Sequence, residues 1–477
     1  MSVTIPGNHA AEREYRRKFC RIQSVLVARC LYSRHSPSKR FALPQFKLFT
    51  NRLSDHIMLR RRFTGLWRHA DFMRLWTGQT ISGFGSLIGA TAIGFTAILV
   101  LHATPFQLGI LAAVRLAPGF LTGLIAGAWV DRLRRRPILI GADIGRGLLL
   151  ATIPLAAILR RLHIEQLYIV TFFVGILSTF FDVAYESYLP SLIGRDQLIE
   201  GNSKLSASAS VAEFSGLAVA GWLVQLFTAP VTILIDAVSF AVSAISIWLV
   251  RAPEQAAVPD VHRSMRREII AGLRFVLHHP LLRVTAGCTL SKEFFGGMYG
   301  ALVVLYMVRD LGFAAGILGT IWALGGLSSL IGAVSAGPAT RRFGIGPAMI
   351  FGLILYSTAL LFIPLARGAT LVAALLLIGQ QTLGDGAATL YQINQVSLRQ
   401  AITPEGLLGR VNASVEILRL GAALVGSLLG GLMGNTIGVR TTLVAGALGS
   451  LLSTFWLVKS PIRALRTAPA SLAEPIR

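Results

Sequence analysis

Two long apolar runs, 108–130 and 138–159, are joined by the turn Asp131-Arg132-Leu133-Arg134-Arg135-Arg136-Pro137. Each run holds roughly the 20 residues that a helix needs to cross a bilayer. A turn with four arginines cannot lie in hydrocarbon, so it lies at a membrane surface. Short loops rich in Lys and Arg stay on the cytoplasmic side, which orients the hairpin.

The rest of the chain is built in the same way. Its 477 residues are 53% hydrophobic and only 14% charged, against about 25% charged in soluble domains, and the mean hydropathy is +0.64. These values predict an all-α, polytopic membrane protein with short loops. The net charge of +23 would suit a nucleic-acid binder, but its placement points elsewhere. Much of it falls in the N-terminal tail and in loops expected to be cytoplasmic, where positive-inside bias puts it and where anionic inner-leaflet lipid is the expected partner. Cys20, Cys30 and Cys288 form no framework, so neither a disulfide nor a metal site is expected. The chain has no Gly-x4-Gly-Lys-Ser/Thr loop for nucleotide phosphates. It shows no Ser/His/Asp, Cys/His or metal-spaced cluster, and its nine histidines are scattered. The expectation is a protein that is not an enzyme, with no catalytic residues and no cofactor.

Residues 1–72 carry fifteen Lys/Arg against Glu12, Glu14, Asp55 and Asp71, with no apolar run long enough to span. They read as a basic, disordered arm on the membrane surface. Alternatively, Met58 is the true start and 1–57 a mis-set one. Candidate spans then follow at about 75–101, 107–130, 137–158, 164–189, 203–226 and 230–250, making one six-helix half over 73–250. Residues 251–282 interrupt them with a Pro-containing linker and an amphipathic stretch that places Ile269, Leu273, Phe275 and Val276 at helical spacing. That helix is expected to lie along the inner surface between the halves. A second half covers 283–457, with candidate spans at about 284–308, 313–337, 346–366, 369–395, 406–433 and 437–457, and 458–477 is a cytoplasmic tail. Its Gly337-Pro-Ala-Thr-Arg341-Arg342 loop sits where the arginine hairpin sits in the first half, keeping a glycine and an Arg pair. About twelve helices in two pseudo-symmetric halves place both termini inside.

The spacing Gly127-x-x-x-Asp131-Arg132-x-x-Arg135-Arg136 resembles the loop between the second and third spans of the major facilitator superfamily. Phe72-Met-Arg-Leu-Trp-Thr-Gly-Gln79-Thr-Ile-Ser, Glu186 to Asn202, Ile235-Asp-Ala-Val-Ser-Phe and Pro404 to Ala413 are similar to the branch that contains the enterobactin exporter. The resemblance covers about residues 66–458. It implies twelve helices, alternating access and export of small molecules in exchange for protons. Two departures stand out. Ser86 occupies the place of a first-span acid that the branch often has, and Gly201 precedes Asn202 where alanine is usual.

Gly127, Asp131, Arg132, Arg135 and Arg136 are read as a gating motif. Asp131 would accept amide hydrogen bonds at a helix N-terminus, where the dipole favours an anion; the resemblance makes that helix the eleventh. Arg135 or Arg136 would pair with Asp182 or Glu186 at the inner end of span four. Asp143 with Arg146, and Glu416 with Arg419, stand three apart on one helix face and are expected to pair. The resemblance implies that spans one, four, seven and ten line the cavity. That makes Asp385 and Glu293 candidates for proton coupling, with Asp182, Glu213 and Asp236 held in reserve. Gln79, Arg115 and Lys292 are substrate-cavity candidates, although Arg115 could instead pair with Asp236. The expected function is proton-coupled efflux of a small amphipathic compound such as a siderophore, drug or metabolite. It would be carried out by a monomer in the bacterial inner membrane without nucleic-acid partners. A lysolipid flippase and a non-transporting scaffold or sensor using the basic arm are the alternatives.

Overall fold

The computed structural model describes residues 65–130, 133–252, 254 and 265–467. The expected basic arm up to residue 64, most of the linker and the last ten residues of the tail lie outside the described residues.

The described chain is helical throughout. The first six spans are Ala70–Val100, Pro105–Val130, Arg135–Ile158, Ile164–Ile193, Leu198–Phe227 and Ala229–Trp248. The second six are Pro280–Leu305, Ala315–Phe343, Ile345–Leu365, Leu371–Ile402, Glu405–Thr436 and Val439–Val458. Among the described residues, eleven helices are long and apolar enough to cross a membrane. The seventh, Pro280–Leu305, is as long as its neighbours but carries Lys292 and Glu293 side by side at its midpoint, which dilutes its apolar character. Spans are separated by turns of a few residues, such as the one where His102 takes φ 49°. Some buried hydroxyls within spans are satisfied locally: Thr96 donates to the Ala92 carbonyl at 2.7 Å and Thr289 to that of Thr285 at 2.9 Å. Such back-bonds let these residues sit inside apolar helices with their hydroxyls paired.

Packing repeats between the halves. Span one packs on five and six, and seven packs on eleven and twelve; two meets four as eight meets ten; three meets four and six as nine meets ten and twelve. The halves join along two seams, span two against eleven and span five against eight. Glycines bring both seams close. A β-carbon on Gly109 would stand 2.7 Å from the Cα of Gly431, and one on Gly221 would stand 2.9 Å from the Cα of Gly319. Small residues allow such backbone approach between helices in a bilayer.

Among the described residues the apolar side chains gather into three cores. At the end with the short turns, one core runs through both halves and includes Phe95, Ile98, Leu108, Leu302, Leu318 and Leu443. At the end with the arginine loops there are two separate cores. One belongs to the first half, with Phe72, Leu139 and Tyr188, and the other to the second, with Met349, Leu398 and Val411. The amphipathic helix Met265–His278 packs on the start of span eleven, where Ser414 Oγ donates to the Ile269 carbonyl at 3.0 Å and Val276 is fully buried.

Candidate transport cavity

A cavity of about 1120 Å³ lies between the halves. Phe95, Ile98, Leu108 and Leu111 close it at the short-turn end and are almost fully buried. Polar ties between the halves reinforce that closure. Arg309 donates to the Ala103 carbonyl at 3.2 Å, the Gly316 amide to Gln225 Oε1 at 2.9 Å, and Trp222 Nε1 to Thr320 Oγ1 at 3.1 Å.

Both halves bring ionisable side chains to the wall. Arg115, Asp182, Glu213 and Asp236 come from spans two, four, five and six. Glu293, Asp385 and Arg419 come from seven, ten and eleven. Four charges form a chain across spans seven and eleven. Lys292 Nζ lies 3.0 Å from Glu293 Oε1, Arg419 Nη1 lies 3.5 Å from Glu293 Oε2, and Arg419 grips Glu416 through two bonds of 2.9 and 2.6 Å. Lys292 also stands 5.3 Å from the centre of the Tyr356 ring, close enough for a cation–π contact. Lys292 itself is not on the cavity wall, and neither is Gln79, whose amide donates to Ser243 Oγ at 3.2 Å and ties span one to span six.

Asp385 is the last residue of the wide helical turn Gln380–Asp385 in span ten, and its Oδ2 accepts from Gln381 Nε2 at 3.1 Å. Asp236 is buried and reaches from span six into span one, where Gly85 and Gly89 leave room for its carboxylate beside Ser86. A carboxylate therefore stands at the level where the first span lacks an acid, delivered by another helix. The Gly85-x-x-x-Gly89 spacing is the sequence signal for this close approach; nothing in the sequence tied it to Asp236 in particular. Among the described residues no ion pair joins Arg115 to Asp236. Asp143 and Arg146 form an ion pair within span three. The guanidinium is sandwiched between Phe181 and Phe240, 4.3 and 4.2 Å from their ring centres.

The arginine hairpin is arranged differently from the sequence expectation. Gly127 lies in the last turns of span two, while Asp131 and Arg132 lie outside the described residues. Among the described residues no ion pair joins Arg135 or Arg136 to Asp182 or Glu186. The Glu254 carboxylate, from the linker after span six, instead accepts the backbone amides of Arg135 and Arg136, and Arg136 Nη2 donates to the Trp248 carbonyl at 2.5 Å. An anion at the first amides of a helix meets both unpaired donors and the positive end of the dipole. Asp182 lines the cavity, with Arg146 in electrostatic reach, and Glu186 is exposed.

Residues 75–424 match the family profile of the Major Facilitator Superfamily. The chain belongs to this superfamily. It is 27% identical to the multidrug efflux pump Tap of Mycolicibacterium fortuitum, an alignment that covers 76% of this chain and 90% of that one. It is 23% identical to the enterobactin exporter EntS of Citrobacter koseri over 79% of this chain and 89% of the relative. Among solved structures, a bacterial homologue of the iron transporter ferroportin in its inward-facing state superposes with a TM-score of 0.67. The two are 18% identical, and the match covers 83% of this chain and 99% of the other. As a member of the superfamily, the protein is a multi-pass membrane transporter, and the twelve-helix, two-half layout follows the superfamily fold.

Proposed function

We propose that this transporter is a proton-coupled secondary exporter of a small amphipathic compound. It works by alternating access in the bacterial inner membrane, with both termini cytoplasmic. The observation that carries the reading is the asymmetry of the inter-half cavity. One shared core seals it at the short-turn end, while separate cores leave the halves independent at the arginine-loop end. That is the arrangement of a carrier open to the cytoplasm, and breaking the shared core while joining the other two would open it to the far side. The naming of Tap as an efflux pump and EntS as an exporter supports the outward direction. Asp385 is the proton carrier in this reading. It is a cavity carboxylate whose one hydrogen bond among the described residues comes from a neutral amide, whereas Glu293 is engaged by Lys292 and Arg419. The hairpin with Asp131 serves as the gate at the cytoplasmic end.

Purified protein in liposomes, with an imposed pH gradient and an amphipathic fluorescent dye, tests the reading. The expected result is gradient-driven dye movement that Asp385→Asn abolishes. Unchanged gradient dependence in that variant would reduce Asp385 to a packing residue. A C-terminal reporter active only in the periplasm would overturn the topology.

A further inference from the structure

Two cavity carboxylates from opposite halves flank span eight. Consecutive glycines of that span set the arrangement. A β-carbon on Gly325 would stand 2.6 Å from Gln381 Nε2 and 3.2 Å from Asp385 Cγ, so this glycine touches span ten. A β-carbon on Gly326 would stand 3.0 Å from Phe214 Cδ2, so the next glycine touches span five beside Glu213. The charges of Glu213 and Asp385 are within range of mutual repulsion. Glu213 is exposed on the cavity wall and, among the described residues, makes no hydrogen bond or ion pair.

The cavity is electrically lopsided. At the seam of spans two and eleven stand the guanidinium groups of Arg115 and Arg419, the latter neutralised by Glu416 and Glu293. At the seam of spans five and eight stand Glu213 and Asp385, with no cation among the described residues paired to either. Charges placed within the spanning part of a membrane protein need a partner or a function. Trp322 also lines the cavity, three and four residues before Gly325 and Gly326. On a helix that spacing puts all three on one face, and an indole face beside carboxylates attracts a desolvated cation.

We propose that Glu213 and Asp385 form the binding site for the positive centre of a lipophilic organic cation, with Trp322 as its aromatic wall. The proposal rests on the export reading and names its substrate class: the exported compound is cationic, and anionic compounds of the same size are excluded. Because the two acids belong to different halves, a bound cation bridges the seam that has to rearrange during transport.

Equilibrium binding of tetraphenylphosphonium to the purified full-length protein tests it, with tetraphenylborate as a probe of the same shape and opposite charge. The phosphonium should bind at least about tenfold tighter than the borate, and Glu213→Gln and Asp385→Asn should each weaken it at least about tenfold, as for loss of a charged partner. Glu213→Asp, which keeps the charge, should recover most of the loss. Arg115→Gln should tighten binding by removing a repelling charge. Absent phosphonium binding, equal binding of the two ions, or indifference to both acid variants would overturn the site. Proton-driven dye transport without phosphonium binding removes the cation site and leaves the export reading. Charge-dependent binding without proton-driven transport does the reverse.

Discussion

The Cα of Gly431 stands 2.7 Å from the position that a β-carbon on Gly109 would occupy. The two residues belong to different halves, at the short-turn end of the seam between spans two and eleven. The contact is backbone on backbone, so a methyl group cannot be absorbed by rotating a side chain. Gly109→Ala should therefore push the halves apart at that end, at about 1–3 kcal/mol for an overpacked site. A cysteine placed at Leu108, which is 5% exposed, should become reactive to a membrane-impermeant maleimide added from the short-turn side. Unchanged labelling in Gly109→Ala would mean that this seam does not hold the closed end.

A second close fit lies inside the first half. A β-carbon on Gly89 would stand 2.7 Å from both the Cβ and the Cγ of Asp236, which is 4% exposed. Gly89→Ala should lower the thermal stability of the purified protein, and pairing it with Asp236→Ala should recover part of the loss. Contacting residues couple by about 0.5–3 kcal/mol in such cycles. Strictly additive effects would show that the carboxylate does not occupy the gap.

The spans themselves were legible because apolar runs of bilayer length announce helices, and arginine clusters mark one set of their ends. Pairings within a helix were legible too: Asp143 with Arg146, and Glu416 with Arg419, follow from three-residue spacing. What crosses between helices was not. Gly109 and Gly431, or Gly85 and Asp236, are far apart in the chain, and their facing rotations depend on how six helices pack at once. Glu254 escaped notice for a related reason. It sits in a polar linker whose composition says loop, and its role at the hairpin depends on where span six ends relative to the start of span three. The first-span departure at Ser86 marked the right level of the membrane but gave no hint that span six supplies an acid there.

The hairpin yields a paired test. Glu254 accepts the first amides of span three, so Glu254→Gln should cost about 0.5–2 kcal/mol of local helix-end stability. If the hairpin is the gate proposed above, Asp131→Asn should leave the protein in the membrane at normal abundance while slowing transport, because it removes an anion from that gate. Amide hydrogen exchange at Arg135 and Arg136 should rise in Glu254→Gln. Transport at the normal rate in both variants would separate the hairpin from gating.

The last prediction concerns which charge of the span-seven pair is indispensable. Lys292 and Glu293 are 19% and 22% exposed at their side chains and 3.0 Å apart. Their surroundings are unequal. Glu293 has a second cation, Arg419, at 3.5 Å, whereas Glu293 is the one carboxylate paired to Lys292 among the described residues. Removing Lys292 leaves Glu293 with a partner; removing Glu293 leaves an ammonium group in the middle of a span with no carboxylate paired to it among the described residues. A lone charge in such a place is expensive. Glu293→Gln should therefore destabilise the protein by about 1–3 kcal/mol, as expected for a stranded charged group, and Lys292→Met should destabilise it clearly less. The double variant Lys292→Met/Glu293→Gln should be more stable than Glu293→Gln alone, because no unpaired ammonium remains. Thermal unfolding of the three purified variants measures this directly. If Lys292→Met proves the more damaging single change, Arg419 does not neutralise Glu293 and the four-charge chain across spans seven and eleven does not exist in the membrane.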